Sequence, residues 1–193
     1  MLRTPKQNPL VLSVVLAAVC AAAAIPALVR PPSVDAALAS VVAGPPWISI
    51  EYPVNPFDRT TRGAHLLVHA YYHGTPVAYP VSGTAEGVVN GERRTMTLRF
   101  ETTSRTGVYA LRKQWPSEGT WTLVITVTQG ENDAAGVAQA LVELSPSGSV
   151  ASVQVPTRQH AEGAFPRRLT AQEIETAVRS QAQRVALAGR ARS

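Results

Sequence analysis

Three equally spaced histidines are the first residues in this sequence that could do chemistry. His65, His69 and His73 form an H-x3-H-x3-H series. On a helix, the four-residue spacing would bring two imidazoles to one metal ion. The segment has the composition of a strand instead, because β-branched and aromatic residues such as Val68 and Tyr71 lie between the histidines.

The geometry of a strand separates these histidines from one another. Residues four apart on a strand are about 13 Å from each other, at roughly 3.3 Å per residue. A Zn–N bond is only about 2.0 Å long, so a metal site would need ligands from other strands, such as Met96 or His160. We interpret the series as a polar stripe on a sheet face. The alternative is a copper site formed by His65, His69, His73 and Met96.

No motif for nucleophilic catalysis or phosphate binding is found in the sequence. Val81-Ser82-Gly83 lacks the first glycine of the G-x-S-x-G motif and the strand-to-helix context that this motif requires. Glycine-rich phosphate loops do not occur. The acids of the central region fall mostly in or beside turns, where they are expected to be solvated: Glu86, Glu92, Glu101, Glu118 and Glu131. The sequence predicts that the protein is not an enzyme and uses no cofactor.

Aromatic residues provide a second candidate site. Trp121 alternates with apolar residues and is predicted to lie in the core. Trp115 precedes Pro116 at the edge of a turn and is the best candidate for an exposed tryptophan. Such residues mark protein interfaces as readily as ligand sites. The predicted interaction surface consists of Trp115, Tyr71, Tyr72 and Tyr79.

The elements that must position these residues are predicted to be short β-strands. Over residues 47–155, apolar and polar residues alternate with a period of two, and turn residues interrupt the alternation. Asn90-Gly91 is the strongest signal for a two-residue hairpin. Because no helical segment separates the strands, the pattern predicts one all-β domain, an immunoglobulin-like antiparallel β-sandwich, rather than βαβ units.

Two glycine–aromatic spacings resemble those of a known family. Gly107-Val-Tyr109 has the layout of a tyrosine corner, in which a phenol hydroxyl bonds to upstream backbone. With Gly119-Thr-Trp121-Thr-Leu123 it resembles the G-x-Y … G-x-W-x-L pattern of bacterial periplasmic immunoglobulin-like domains of the FixH and YtkA-like type, over about residues 93–128. The resemblance implies a tethered extracytoplasmic sandwich, often an accessory to membrane or redox-protein assembly. It implies structural roles for Gly107, Tyr109 and Trp121.

The N-terminal residues predict export from the cytoplasm. Arg3 and Lys6 precede an uncharged apolar run over residues 10–29, about as long as the roughly 20 residues that a bilayer-spanning helix needs. Residues 1–30 are therefore predicted to be a signal peptide or a membrane anchor, and both readings remain open. The proline-rich residues 31–46 predict a tether. Since Cys20 is the only cysteine, no disulfide is expected in the exported domain.

The charge distribution excludes nucleic acid as the predicted partner. The chain carries a net charge of +5, but residues 44–155 contain eight Arg or Lys and nine Asp or Glu. The positive charge is therefore concentrated at the two ends. A near-neutral domain lacks the basic face that phosphate binding requires.

The C-terminal region is predicted to be a linker followed by an amphipathic helix. Residues 156–169 show no periodicity and are interpreted as the linker. Thr170 and Glu173 have the spacing of a capping box, and apolar residues follow at helical spacing, which predicts a helix over residues 170–188. Such a helix could pack on its own sandwich or lie on an anionic membrane. Our prediction is that it docks on a partner.

These observations predict a non-enzymatic extracytoplasmic protein of the periplasm, either secreted or membrane-anchored through an uncleaved N-terminal helix. It would bind an extracytoplasmic or membrane protein, as an accessory subunit of a membrane complex. The alternative function is a periplasmic copper-handling domain that uses the histidine series. A third hypothesis is a small-ligand or sugar binder that uses Trp115.

Overall fold

The computed structural model describes residues 44–130, 136–161 and 163–190. These residues form antiparallel β-sheets and one C-terminal α-helix, so the predicted antiparallel β-structure with a C-terminal helix is confirmed. The predicted signal or anchor lies outside the described residues, as does the predicted tether up to residue 43. Within the described part of the chain, no helix is both long and apolar enough to span a membrane.

The first sheet is built from five strands that pair antiparallel. These are β1 (Trp47–Glu51), β2 (Leu66–Tyr72), β3 (Thr75–Pro76), β6 (Phe100–Thr102) and β7 (Val108–Leu111). Their order is β1-β2-β7-β6, and β3 pairs with the end of β2.

The second sheet also has five antiparallel strands, and they are longer. These are β4 (Val81–Val89), β5 (Glu92–Thr97), β8 (Thr120–Thr128), β9 (Val137–Leu144) and β10 (Val150–Gln154). Their order is β10-β9-β8-β4-β5.

Asn90 and Gly91 form the predicted hairpin between β4 and β5. Their φ angles are 53° and 83°, and Val89 pairs with Glu92 across the turn. Positive φ at both central residues defines a turn whose twist matches that of the flanking strands. Asparagine and glycine tolerate this conformation better than other residues. The dipeptide therefore predicts the position of the turn and, with it, the register between β4 and β5.

One apolar core is shared by the two sheets. Buried residues of the first sheet, among them Leu66, Val68 and Ala70, belong to the same cluster as Leu123 and Ile125 of the second. The indole Nε1 of Trp121 donates to the carbonyl oxygen of Glu118 at 2.9 Å, so this core side chain has a partner for its polar atom. Two sheets with a common core fit the β-sandwich architecture.

A hydrogen bond from Tyr109 links β7 to the residues between β3 and β4, where the chain passes from the first sheet to the second. The Tyr109 hydroxyl donates to the carbonyl oxygen of Tyr79, 30 residues upstream, at 2.6 Å. A tyrosine corner bonds only a few residues upstream, so the prediction of a tyrosine corner at Tyr109 is wrong, and the bond joins parts of the chain that are farther apart. Gly107 has φ of +72°, and a Cβ there would lie 2.8 Å from the carbonyl oxygen of Ala70. Glycine therefore lets β7 begin close to β2.

Residues 93–101, which alternate like one strand, are divided between the two sheets. Leu98 and Arg99 form the crossing from β5 to β6. The side-chain amide of Gln114 replaces a strand partner for Arg99, because it accepts from the Arg99 N–H at 3.0 Å and donates to the Arg99 carbonyl at 2.7 Å. Alternation does not reveal the division, since Leu98 and Phe100 face the same core on either side of it.

The predicted linker contains a β-hairpin, which corrects that prediction. Strands β11 (Thr157–His160) and β12 (Gly163–Pro166) pair with each other as a separate two-stranded sheet. The side chains of β11 are exposed, so the hairpin depends on backbone hydrogen bonds and shows no apolar alternation. The ring of Phe165 lies against Gly44, where a Cβ would be 3.2 Å from it.

Helix α1 (Ala171–Arg190) begins at the predicted capping box. The Glu173 N–H donates to Thr170 Oγ1 at 3.2 Å, and the Thr170 N–H donates to Glu173 Oε2 at 2.8 Å. Arg167 adds two bonds to the same carboxylate, at 2.6 and 2.9 Å. Hydrogen bonds from Arg167, followed by those from Thr170, lower the pKa of Glu173 to about 2.

Helix α1 packs on the outer face of the second sheet, so the prediction that it docks on a partner is wrong. Val178 is 1% exposed and Gln181 is 4% exposed. The side chain of Gln181 donates to the carbonyl oxygens of Trp121, at 3.0 Å, and Leu144, and accepts from the Thr122 hydroxyl. The physical reason is that the apolar stripe of the helix, including Val178, is buried on this sheet, while Gln181 supplies the polar partner that the covered Thr122 hydroxyl needs.

We expect Gln181→Ala to destabilise the protein by about 2–4 kcal/mol, because it leaves a buried hydroxyl and two buried carbonyls without partners. Gln183→Ala is the matched control on the same helix, where the side chain is exposed, and should change stability by no more than about 0.5 kcal/mol. Urea unfolding of both variants measures the difference. Equal stabilities would show that Gln181 does not hold the helix on the sheet.

Candidate interaction surface

The three histidines of the series lie in three different surroundings. His65 is half-buried, with its ring 5.0 Å from that of Trp115 and 5.8 Å from that of Tyr52. His69 lies on β2, facing away from the core. His73 lies in the turn after β2, with a φ angle of 48°. The strand spacing therefore keeps the imidazoles apart, but the predicted polar stripe on a sheet face is not formed, because of the three only His69 lies on β2.

The ligand set of the copper hypothesis is not brought together. Met96 lies on β5 of the second sheet and packs against the core, away from the outward-facing His69. His160, the other candidate, lies on β11 against the ring of Phe165. In residues 44–130, 136–161 and 163–190, no group of three or more His, Cys, Asp or Glu side chains could hold a metal ion.

The predicted aromatic surface is not assembled either. Trp115 is only 4% exposed, so its predicted exposure is wrong. Its turn folds the indole into the core cluster and edge-on to His65. Tyr72 lies near Tyr79, with ring centroids 6.1 Å apart, whereas Tyr71 stacks on His69. Tyr72 and Tyr79 are therefore neighbours, but the four residues do not form one surface.

A different aromatic group lies open on the outer face of the first sheet. Ile48 is a core residue, so its neighbour Trp47 points outward and is 40% exposed. Trp47 is paired directly with Tyr71 across β1 and β2, and the rings of Tyr71 and His69 stack with centroids 6.1 Å apart and planes 5° apart. We call these three residues, Trp47, His69 and Tyr71, the aromatic face.

A carboxylate fixes the central ring of the aromatic face. Nε2 of His69 lies 2.9 Å from Oε2 of Glu51, and the two side chains are 15% and 34% exposed. This contact restricts the rotation of the imidazole, which in turn supports the stacked ring of Tyr71. The surface is thus formed before any partner arrives, which lowers the entropy cost of binding.

Part of the remaining outer face is covered by the chain itself. The β1–β2 loop, residues 52–65, packs Val54 and Ala64 against the outward-facing Leu67, Val108 and Ala110. These contacts bury the apolar side chains on and beside β7. The aromatic face, nearer the start of β1, is the part that the loop leaves open.

A cavity of about 590 Å³ lies between α1 and strands β9 and β10. Two arginines line it. Arg167 is paired with Glu173 at 2.6 Å, and Arg184 is paired with Glu143 at 2.8 Å. Because both charges are already compensated, the cavity shows no specific attraction for a charged ligand, and the aromatic face is the stronger candidate.

The sequence contained a signal for the aromatic face that our prediction did not use. Ile48 and Ile50 alternate with Trp47, Ser49 and Glu51. If the two isoleucines face the core, then the tryptophan must face outward, because side chains alternate along a strand. The pairing of Trp47 with Tyr71 could not be read in the same way, since it depends on the register between β1 and β2.

His65 makes the stability of the domain sensitive to pH. Burial lowers the pKa of its imidazole, and the positive charge of Lys113 lowers it further. Its Nε2 is buried and makes no hydrogen bond within the described part of the chain. The unfolded state therefore binds a proton more readily than the folded state, so stability is fully present above the unfolded pKa of about 6.5 and is lost as the pH falls below it.

We expect His65→Phe to reduce the loss of stability between pH 7 and pH 5, because the ring contacts remain while the titrating group is removed. His160→Phe, at an exposed position on β11, is the control and should keep the pH dependence of the parent. Thermal unfolding across this pH range measures both. If the stability of the parent and that of His65→Phe fell in parallel with pH, the pH dependence could not be assigned to His65.

Comparisons with known proteins assign the chain to no family. No family model matches it, and no curated protein or solved structure is significantly similar. Function must therefore be inferred from the contacts and exposed surfaces of the chain.

Proposed function

We propose that this protein is a non-enzymatic extracytoplasmic interaction protein, an immunoglobulin-like domain that binds a protein partner through its aromatic face. The observation that carries the proposal is the exposure of Trp47, 40%, beside a stacked pair of rings on a sheet face. Large aromatic side chains are enriched in protein interfaces, whereas exposed groups of them are uncommon on monomeric surfaces.

The strand order supports an immunoglobulin-like topology. Immunoglobulin domains place strands A-B-E-D in one sheet and G-F-C in the other. The order β1-β2-β7-β6 opposite β9-β8-β4, with β5 beyond β4, corresponds to this arrangement when the strands are lettered along the chain with the two-residue β3 and the edge strand β10 left out. Two features differ from antibody domains: Trp121 lies on the strand that corresponds to F, and Tyr109 on the one that corresponds to E. The resemblance to FixH and YtkA-like domains therefore rests on the spacings of Gly107 with Tyr109 and of Gly119 with Trp121 in the sequence.

The chemistry of the aromatic face favours binding to a protein. Tryptophan and tyrosine are the residues that most often dominate the energy of protein interfaces, because they bury a large area with few rotatable bonds. The imidazole–carboxylate pair of His69 and Glu51 adds a polar rim that is already oriented. A partner with a flat apolar patch and a hydrogen-bond donor or acceptor would match this surface.

The predicted export segment supports the proposed location. A basic start followed by an apolar run of signal or anchor length supports a location outside the cytoplasm, either tethered or released. Within such a compartment, a domain without cysteines in residues 44–193 depends on its core for stability. The proposed partner is therefore another extracytoplasmic protein or the exposed part of a membrane protein.

We expect Trp47→Ala and Tyr71→Ala each to weaken partner binding by a factor of about 30 or more, since truncating a central aromatic contact costs about 2 kcal/mol. The full-length tagged protein is captured from gently solubilised membranes of its host, and the co-purifying proteins are quantified by mass spectrometry. A stoichiometric partner that is lost from both variants would support the proposal.

Val153→Ala is the matched control, because Val153 is 41% exposed but lies on β10 of the other sheet. It should retain the partner at the level of the parent. Retention of the same partner by Trp47→Ala and Tyr71→Ala would move the interface away from the aromatic face. Recovery of the parent as a lone soluble protein would contradict a stable protein partner and favour the small-ligand hypothesis.

A further inference from the structure

The β1–β2 loop presents an exposed phenylalanine on a closed turn. Phe57 is 89% exposed, the highest value among the large apolar side chains of the described residues. The N–H of Phe57 donates to Asn55 Oδ1 at 3.0 Å, and the N–H of Asp58 donates to the Asn55 carbonyl at 3.2 Å. Because these bonds close the turn, the ring is held in water by a defined backbone rather than by a loose segment.

The loop around this ring carries uncompensated positive charge. Its one acid, Asp58, accepts hydrogen bonds from Thr60 at 2.9 and 2.6 Å and lies 3.7 Å from Arg105. Arg59 and Arg62 are both exposed, and neither side chain has an ion-pair partner in the described part of the chain. The loop thus combines an apolar ring with two unpaired guanidinium groups within six residues.

The position of the turn relates it to the N-terminal segment. Asp58 reaches Arg105, which precedes β7, and Gly107 bonds to the N–H of Ala70 near the end of β2. This is the end of the first sheet at which β1 begins, because Trp47 pairs with Tyr71. The Phe57 turn and the residues that connect the sheet to the predicted export segment therefore lie at the same end.

We propose that the Phe57 turn docks on an anionic phospholipid surface, with the ring at the level of the headgroups and with Arg59 and Arg62 against lipid phosphates. Aromatic residues favour this interfacial region, and basic side chains near it are attracted by anionic lipid. The two unpaired arginines favour a phosphate-bearing surface over an apolar pocket in a protein, since such a pocket would explain the ring but not the charges. The proposal rests on the proposed extracytoplasmic placement beside a membrane.

The test uses tryptophan as a reporter at the turn. The full-length Phe57→Trp protein is reconstituted into vesicles of phosphatidylcholine, with and without phosphatidylglycerol, and its fluorescence is compared with that of the parent. Trp115 and Trp121 are each 4% exposed but Trp47 is 40% exposed, so Trp47→Phe is introduced into both proteins and the difference spectrum reports the new indole. Brominated phospholipids measure its contact with the acyl region, and acrylamide measures its contact with water.

We expect the indole at position 57 to shift to shorter wavelength and to be quenched by brominated lipid only when phosphatidylglycerol is present. Adding Arg59→Glu or Arg62→Glu should weaken this docking about fivefold or more for each arginine, as expected for a basic residue at an anionic surface. Val153→Trp, on the other sheet, is the control and should remain accessible to acrylamide in both kinds of vesicle.

An indole at position 57 that stays equally accessible to acrylamide with and without phosphatidylglycerol would overturn the proposal and would leave a protein pocket as the occupant. Flotation of the vesicles separates this result from a failure of the proposed placement. If the parent protein does not float with phosphatidylcholine vesicles, the N-terminal segment is not an anchor. The spectral response of position 57 to added phosphatidylglycerol vesicles then still decides whether the turn binds lipid.

Discussion

Alternation along the strands sends every second side chain out of the shared core, so both sheets have an outer face that must meet either water or another part of the chain. This constraint organises the molecule. Helix α1 covers the second sheet and the β1–β2 loop covers part of the first. The aromatic face lies outside the part of the first sheet that the loop covers, and the Phe57 turn is an exposed part of that loop, so both proposals concern side chains that remain open to water.

Helix α1 and the β1–β2 loop differ in how specifically they are held on their sheets. On the second sheet, Gln181 satisfies the hydroxyl of Thr122 and two backbone carbonyls, and Arg184 pairs with Glu143 at 2.8 Å, so polar contacts fix one register of the helix on the sheet. A buried polar group without its partner would cost more than the bond contributes, which makes this register specific. On the first sheet, the loop is held by small apolar contacts and by the ion pair of Asp58 with Arg105. The loop stops short of Trp47, which remains available to a partner.

The histidine series shows how equal spacing can lead to unequal chemistry. His65 is half-buried between aromatic rings, and its pKa is lowered by burial. His69, four residues later, faces outward and contacts Glu51 at 2.9 Å. His73 lies in a turn. One repeated residue type therefore supplies a pH-sensitive core position, an oriented surface group and a turn residue, because each neighbourhood is made by a different strand or loop.

The sequence by itself determined the features that depend on neighbouring residues: the period of the strands, the Asn90-Gly91 hairpin, the capping box of α1 and the core position of Trp121. It could not determine which surfaces stay exposed. Trp115 was predicted to be exposed and is buried, and α1 was predicted to dock on a partner and covers its own sheet. The physical reason is that backbone conformation follows from local sterics and hydrogen bonds, whereas exposure depends on which distant segment packs on a residue. The contact between Gln181 and Thr122, and the exposure of Trp47 beside Tyr71, were decided by the tertiary structure alone.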